Sequence, residues 1–185
     1  MSNQHDKRYK RLFSNKSLVK ELFESFVNES ISTEIDFNSL ERLDKSFITD
    51  KFKEKESDLI YRVNLKEKSC YIYLLIEFQS TVDPSMSLRI LRYICEFYEF
   101  LTENEKMTTL PAVFPLLLYN GEGKWTSKEN IFDMIEQTIP EKYIPKFRYY
   151  KVIINEFSKT VLKKIRNIVS AIFYVENSDL NELKE

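Results

Sequence analysis

Asp58, in the run Ser57-Asp58-Leu59-Ile60-Tyr61-Arg62-Val63, and Glu77, nineteen positions later in Glu77-Phe78-Gln79, are the residues of this chain whose types and spacing best suit chemistry. Glu77 closes the apolar run Tyr71-Ile72-Tyr73-Leu74-Leu75-Ile76. Two carboxylates at the ends of adjacent strands can share one hard divalent cation through oxygen. A cation held in that way activates water and stabilises developing charge on a phosphodiester. Taken singly, a carboxylate at a strand end is usually a solvated surface group. Glu77 follows six apolar or aromatic residues, however, and an acid at the end of a central strand is costly unless something pairs with it.

The strands that must position these acids have a period of two. Ile72, Leu74, Ile76 and Phe78 fall on one face, and Tyr71, Tyr73, Leu75, Glu77 and Gln79 on the other. The stretch Asn64-Leu65-Lys66-Glu67-Lys68-Ser69 is polar and short enough for a hairpin connection. A two-residue turn at Glu67-Lys68 sets Asp58 opposite Glu77. A turn one residue earlier sets Asp58 opposite Leu75 and leaves Asp58 and Glu77 as diagonal neighbours on one face, whereas a loop of odd length separates them.

The remaining elements follow from periodicity. Tyr9, Leu12, Phe13, Leu18, Val19, Leu22, Phe23, Phe26 and Val27 recur at helical spacing, so the first forty residues read as helical, with Ser17 as a cap. Asp6 lies on the inward stripe of the first helix, where a charge complementing the helix dipole is the simpler explanation. Strands are expected over residues 40–48 and 58–63, and again up to Gln79. The Asp83-Pro84 pair then favours a helix start, and residues 85–103 read as a helix. Arg89, Arg92, Tyr93 and Glu96 form one stripe of it, beside an apolar stripe of Leu88, Leu91, Ile94, Cys95 and Tyr98. Two guanidiniums one turn apart suit a phosphate; the same residues equally suit a salt-bridged surface built on Glu96.

Residues 112–119 read as a strand buried on both faces, although Pro115 cannot donate to a ladder. The only two glycines of the chain, Gly121 and Gly123, follow it and point to a turn with demanding backbone angles. A strand over residues 149–154 and a helix over residues 159–175 complete an α/β sandwich. At 185 residues, a single domain over residues 1–185 with a substantial core is expected. The net charge of −1 gives no overall basic field, so any nucleic-acid surface must be local. Cys70 and Cys95 have no metal-ligand spacing and read as small buried hydrophobes. With no apolar leader and no run of membrane-spanning length, a cytoplasmic protein with no membrane association is expected.

Five segments in order, His5-Asp6-Lys7-Arg8-Tyr9-Lys10-Arg11-Leu12-Phe13-Ser14, Ser57 to Val63, Leu74-Leu75-Ile76-Glu77-Phe78-Gln79-Ser80, Met86-Ser87-Leu88-Arg89-Ile90-Leu91-Arg92-Tyr93 and Leu118-Tyr119-Asn120-Gly121-Glu122-Gly123-Lys124-Trp125, strongly resemble the recombination-promoting nuclease (Rpn), YhgA-like transposase family. The resemblance implies a PD-(D/E)XK restriction-endonuclease-like fold, a mixed sheet flanked by helices, and a metal-dependent DNA endonuclease that promotes recombination. It makes Asp58 the motif aspartate and Glu77 the acid of the E-x-K element, with Gln79 where the motif lysine would stand and Asp6 as an additional acid. The implied mechanism has Mg²⁺ on Asp58, Glu77 and the backbone carbonyl of Phe78, Gln79 aligning water, and Arg89 or Arg92 on a phosphate oxygen. The chain departs from the pattern at Asn120, where relatives often have histidine. It is also expected to be shortened at its C-terminus relative to most of them. The alternative is a DNA-binding or partner-binding member that keeps the fold without turnover; a homodimer that cuts both strands is a further expectation.

Overall fold

Strand alternation in the run after Lys68 governs the architecture. The computed structural model describes residues 2–43, 59–66, 68–77 and 81–179, with the side chains of residues 2–6 and 77 excepted. Three helices lead in, α1 (Ser2–Phe13), α2 (Lys16–Phe26) and the single turn α3 (Ile31–Glu34), followed by β1 (Ile35–Arg42), β2 (Leu59–Leu65) and β3 (Lys68–Glu77). Helix α4 (Met86–Glu103), strand β4 (Val113–Tyr119), strand β5 (Tyr150–Ile153) and helices α5 (Lys159–Ile165) and α6 (Ile168–Glu176) complete the order, with short 3₁₀ turns before and after β5.

The five strands lie in sequence order β1-β2-β3-β4-β5. β1, β2 and β3 are antiparallel, and β3, β4 and β5 parallel, which makes the sheet mixed. Helices cover both faces. Ile72, Leu74 and Ile76 of β3 join Leu116 and Leu118 of β4 in a core roofed by residues of α1, α2, α5 and α6. Tyr71, Tyr73 and Leu75 join Leu117 and Tyr119 in a second core under α4. The expected division of faces therefore holds wherever β3 side chains are described. Each fully buried aliphatic side chain of this strand contributes on the order of 1.5–3 kcal/mol by leaving water.

β2 and β3 pair with Leu65 opposite Lys68 and Leu59 opposite Leu74, which is the second of the two hairpin registers open from the sequence. Lys66, directly after the last paired residue of β2, adopts φ 47 in the left-handed region. The Tyr61 hydroxyl donates to the Phe13 carbonyl and so ties β2 to the end of α1. Pro115 sits in a strand with neighbours on both sides. Tyr71 N–H bonds the Ala112 carbonyl at 2.9 Å, so in the alternating parallel pattern Pro115 turns its nitrogen away from β3. On that side β5 pairing starts only at Leu116 opposite Tyr150, and no ladder bond is lost.

Several elements differ from the sequence expectation. The helical start gives way at Ile35 to a strand over Ile35–Arg42, where a strand over residues 40–48 was expected. Residues 44–48 of that expectation lie outside the described residues. The cap of α2 is Asn15, whose side chain accepts from Ser17 N–H at 3.0 Å, and not Ser17. The helix expected over residues 159–175 is two, broken at Arg166 in the left-handed region with φ 57. Along α4 the buried residues are Met86, Ser87, Ile90, Tyr93, Ile94, Phe97 and Leu101. Leu88 is 53% exposed, so the core-facing stripe is rotated from the expected one, and Tyr93 belongs to it. Cys70 is buried as expected, whereas Cys95 is exposed.

Candidate active site

β3 and β4 run parallel and end together, Glu77 in register with Tyr119. The carboxyl ends of parallel strands are where open α/β sheets usually hold ligands, because the chain leaves there through loops free to carry polar groups. The loop entering α4 is organised by Asp83. One carboxylate oxygen accepts from the Ser85 amide at 2.8 Å and the Ser85 hydroxyl at 2.7 Å. The other faces the Arg89 guanidinium at 3.2 Å. Asp83 thus starts the helix and holds an arginine one turn along it. Burial pushes the Asp83 carboxyl upward, but the Ser85 hydroxyl and amide and the Arg89 charge outweigh burial and leave it below its ordinary value.

Arg92 is held differently. Its side chain is 60% exposed and lies 3.7 Å from Glu96 on the same helix, with its guanidinium 5.1 Å over the Tyr93 ring. An exposed i,i+4 pair contributes a few tenths of a kcal/mol and exchanges readily with solvent. The two arginines are therefore unequal, Arg89 being largely buried on a loop acid and Arg92 exposed on the helix surface.

Across the sheet, a second polar group spans the ends of α1, β4 and α6. Tyr9 is buried, and its hydroxyl accepts from Asn120 Nδ2 at 3.3 Å. Burial first, then the charge and hydrogen bond of Glu176, raise its phenol far above the ordinary range. Asn155 Nδ2 donates to the carbonyls of Gly121 at 2.7 Å and Gly123 at 3.4 Å and clamps the loop after β4. Neither glycine has a positive φ, so the demanding angles expected at this turn are absent and side-chain hydrogen bonds shape it instead. Below α4, the Trp125 indole N–H and the Tyr149 hydroxyl are buried with no hydrogen-bond partner among the described residues. Burial pushes the Tyr149 phenol up to about 12, with Ser127 and Trp125 close enough to restrain the rise without meeting hydrogen-bond geometry. Sequence reasoning missed both groups; the only local hint was Asn120 directly after a strand.

Asp58, Phe78 and Gln79 lie outside the described residues. Glu77 is the last residue of β3, opposite Tyr119, and Asp6 lies within α1; the side chains of both lie outside the description. Among the described residues no three His, Cys, Asp or Glu side chains gather to hold a metal ion. The expected donor set, two carboxylates and a backbone carbonyl, is all oxygen and so fits the preference of Mg²⁺. No described helix is long and apolar enough to cross a membrane.

Residues 3–184 match the model of a family described as "Putative transposase, YhgA-like". The chain is 30% identical over 120 residues to the recombination-promoting nuclease RpnD of Escherichia coli O157:H7, covering 65% of this chain and 46% of that protein. It is 32% identical over 121 residues to the recombination-promoting nuclease RpnA of Escherichia coli K12, covering 65% and 41%. A third relative from the same strain, 26% identical over 121 residues with 65% and 40% covered, is the inactive recombination-promoting nuclease-like protein RpnE. The chain spans less than half the length of these relatives. No solved structure matches it.

Proposed function

The chain belongs to the YhgA-like transposase family, and from that premise we propose that it is a Mg²⁺-dependent DNA endonuclease acting in recombination. The observation that carries this reading is the match over residues 3–184, with relatives named recombination-promoting nucleases. The β2–β3 register supports it. With Leu59 opposite Leu74, continuing the same ladder by one step would make Asp58 and Glu77 diagonal neighbours on one face, the arrangement that sharing a cation calls for. Asp58, Glu77 and the Phe78 carbonyl would hold Mg²⁺, which when bound supplies Lewis-acid charge at the scissile phosphate. Gln79 would hydrogen-bond and align the attacking water, without the positive charge a lysine would bring. Arg89, fixed by Asp83, would hold a phosphate oxygen through charge-assisted hydrogen bonds, with Arg92 as the adjustable second contact. Purified protein is expected to nick plasmid DNA with Mg²⁺ and to stop with EDTA, and Asp58→Asn is expected to abolish nicking. Full activity in Asp58→Asn would remove the proposed metal site.

A second reading is favoured by the relative named inactive and by glutamine at position 79. In it the chain binds DNA or a partner without cutting. DNA binding that survives Glu77→Gln, together with no cleavage by the wild-type protein in any DNA form, would select it.

A further inference from the structure

Charge is unevenly spread along this chain. Residues 1–20 hold six lysines and arginines against a single acid, Asp6, a local charge of +5 in a chain whose net charge is −1. In α1 Tyr9 and Phe13 are buried, while Lys7, Arg8 and Arg11 are exposed. Positions 7 and 11 are four apart and positions 8 and 11 three apart, so like charges crowd one helical surface and weaken the helix. Asp6 neighbours positions 9 and 10 on the helix and relieves neither Arg8 nor Arg11. Lys16 continues the series at the first residue of α2, where the macrodipole disfavours a cation and no acid stands in the first turn. Arg11, in the last turn of α1, suits the dipole; Arg8 and Lys16 gain nothing from it. Arg8, Arg11 and Lys16 are all exposed and make no ion pair or side-chain hydrogen bond among the described residues.

The fold puts these cations beside the candidate site. The Tyr9 hydroxyl meets Asn120, directly after β4, and the Phe13 carbonyl meets Tyr61 of β2. Since β3 lies between β2 and β4, α1 crosses β3 towards the strand end that carries Glu77. On the other face of the sheet, α4 begins at the same end and brings Arg89 there.

We infer that the outer face of α1, continued by Lys16, is a docking surface for the sugar–phosphate backbone of DNA beside the scissile bond. The inference rests on DNA being the substrate, as proposed above. Guanidiniums suit phosphate oxygens through paired, charge-assisted hydrogen bonds. Residues 21–185 together carry −6, so the attraction for a polyanion is concentrated at the start of the chain and orients DNA toward that end of the sheet. The repulsion among neighbouring cations on α1 is relieved when phosphates lie against them, which couples the helix to binding.

Anisotropy of a labelled duplex of about 20 base pairs, titrated in EDTA so that nothing is cut, tests this across roughly 50–200 mM salt. Arg8→Gln, Arg11→Gln and Lys16→Gln combined should weaken binding about tenfold or more at the low-salt end. The slope of log K against log[salt] should flatten by roughly 2 to 3, since each neutralised phosphate contributes about 0.9. Lys66→Gln, Lys68→Gln and Lys106→Gln combined remove the same charge at the opposite end of the sheet, and should leave affinity and slope near those of wild type. Arg8→Lys with Arg11→Lys keeps the charge and should keep the slope. All these positions are exposed, so far-UV circular dichroism should be unchanged throughout. Wild-type affinity and slope in the α1 triple variant, or an equal loss in the far-end variant, overturns the inference. Either outcome leaves the endonuclease reading standing, whereas a wild-type protein that binds no DNA overturns both.

Discussion

Asp83 serves two structures with one carboxylate. Its first oxygen takes both donors of Ser85, and its second takes Arg89. Its carboxyl lies below the ordinary 3.8 despite burial, and the sign of the stability effect follows. A carboxyl with a depressed folded-state value adds stability that is fully present above the unfolded value and lost as pH falls through the folded one. Asp83→Asn should therefore destabilise the protein by about 1–2 kcal/mol at neutral pH, where charge-assisted hydrogen bonds are lost. The difference from wild type should shrink below pH 3.8; urea melts at several pH values read it directly. The arginines differ at the same scale. Arg89→Ala should weaken DNA binding more than Arg92→Ala, because Asp83 pre-orients Arg89 whereas the exposed Arg92 must be ordered on binding. Equal losses in filter-binding or anisotropy titrations would mean that Asp83 does not orient the contact.

Helix and strand boundaries carry their own strain and capping terms. Arg166 holds φ 57 at the break between α5 and α6, a conformation that costs a non-glycine residue about 1 kcal/mol. Arg166→Gly should recover part of that and raise the melting temperature by a few degrees, roughly 4 °C per kcal/mol for a domain of this size. Asn167→Ala should cost about 1 kcal/mol, since it removes the capping box with Ser170. Calorimetry of the two variants separates the effects, and a stabilising Asn167→Ala would contradict the cap. This junction was invisible in the sequence because apolar periodicity runs on across it and no glycine or proline marks it. β1 was misplaced for another reason. Its ladder shifts register between Asp36 and Glu41, so Ile35 and Leu40, its buried residues, do not alternate cleanly. β3, with ten residues and an uninterrupted apolar run, was legible together with its two faces. The hairpin register was legible only as a pair of alternatives, and a positive φ at Lys66 marks the one adopted.

At the scale of the whole molecule, what the sequence could show of the site was parity, namely which residues of β3 share a face. It could not show the Asp83–Arg89 pair, which needs the turn into α4, or the Tyr9–Asn120 bond, which joins residues 111 positions apart. Long-range polar pairs leave no periodic trace. Parity also bears on folding, because β3 sends alternate side chains into two cores that share only the sheet. Leu74 is fully buried in the core under α1, α2, α5 and α6. Trp125, the single tryptophan, packs on the other side against Tyr119 with ring centroids 4.8 Å apart. Leu74→Ala should cost about 2–5 kcal/mol through lost burial and an unfilled cavity. Far-UV circular dichroism reports the helices of all layers, whereas tryptophan fluorescence reports only the α4 side. If the two cores unfold as one cooperative unit through β3, the substitution should move both denaturation midpoints equally, though Trp125 lies across the sheet from the change. A fluorescence midpoint that stays put while the dichroism midpoint falls would show that the α4 layer unfolds independently.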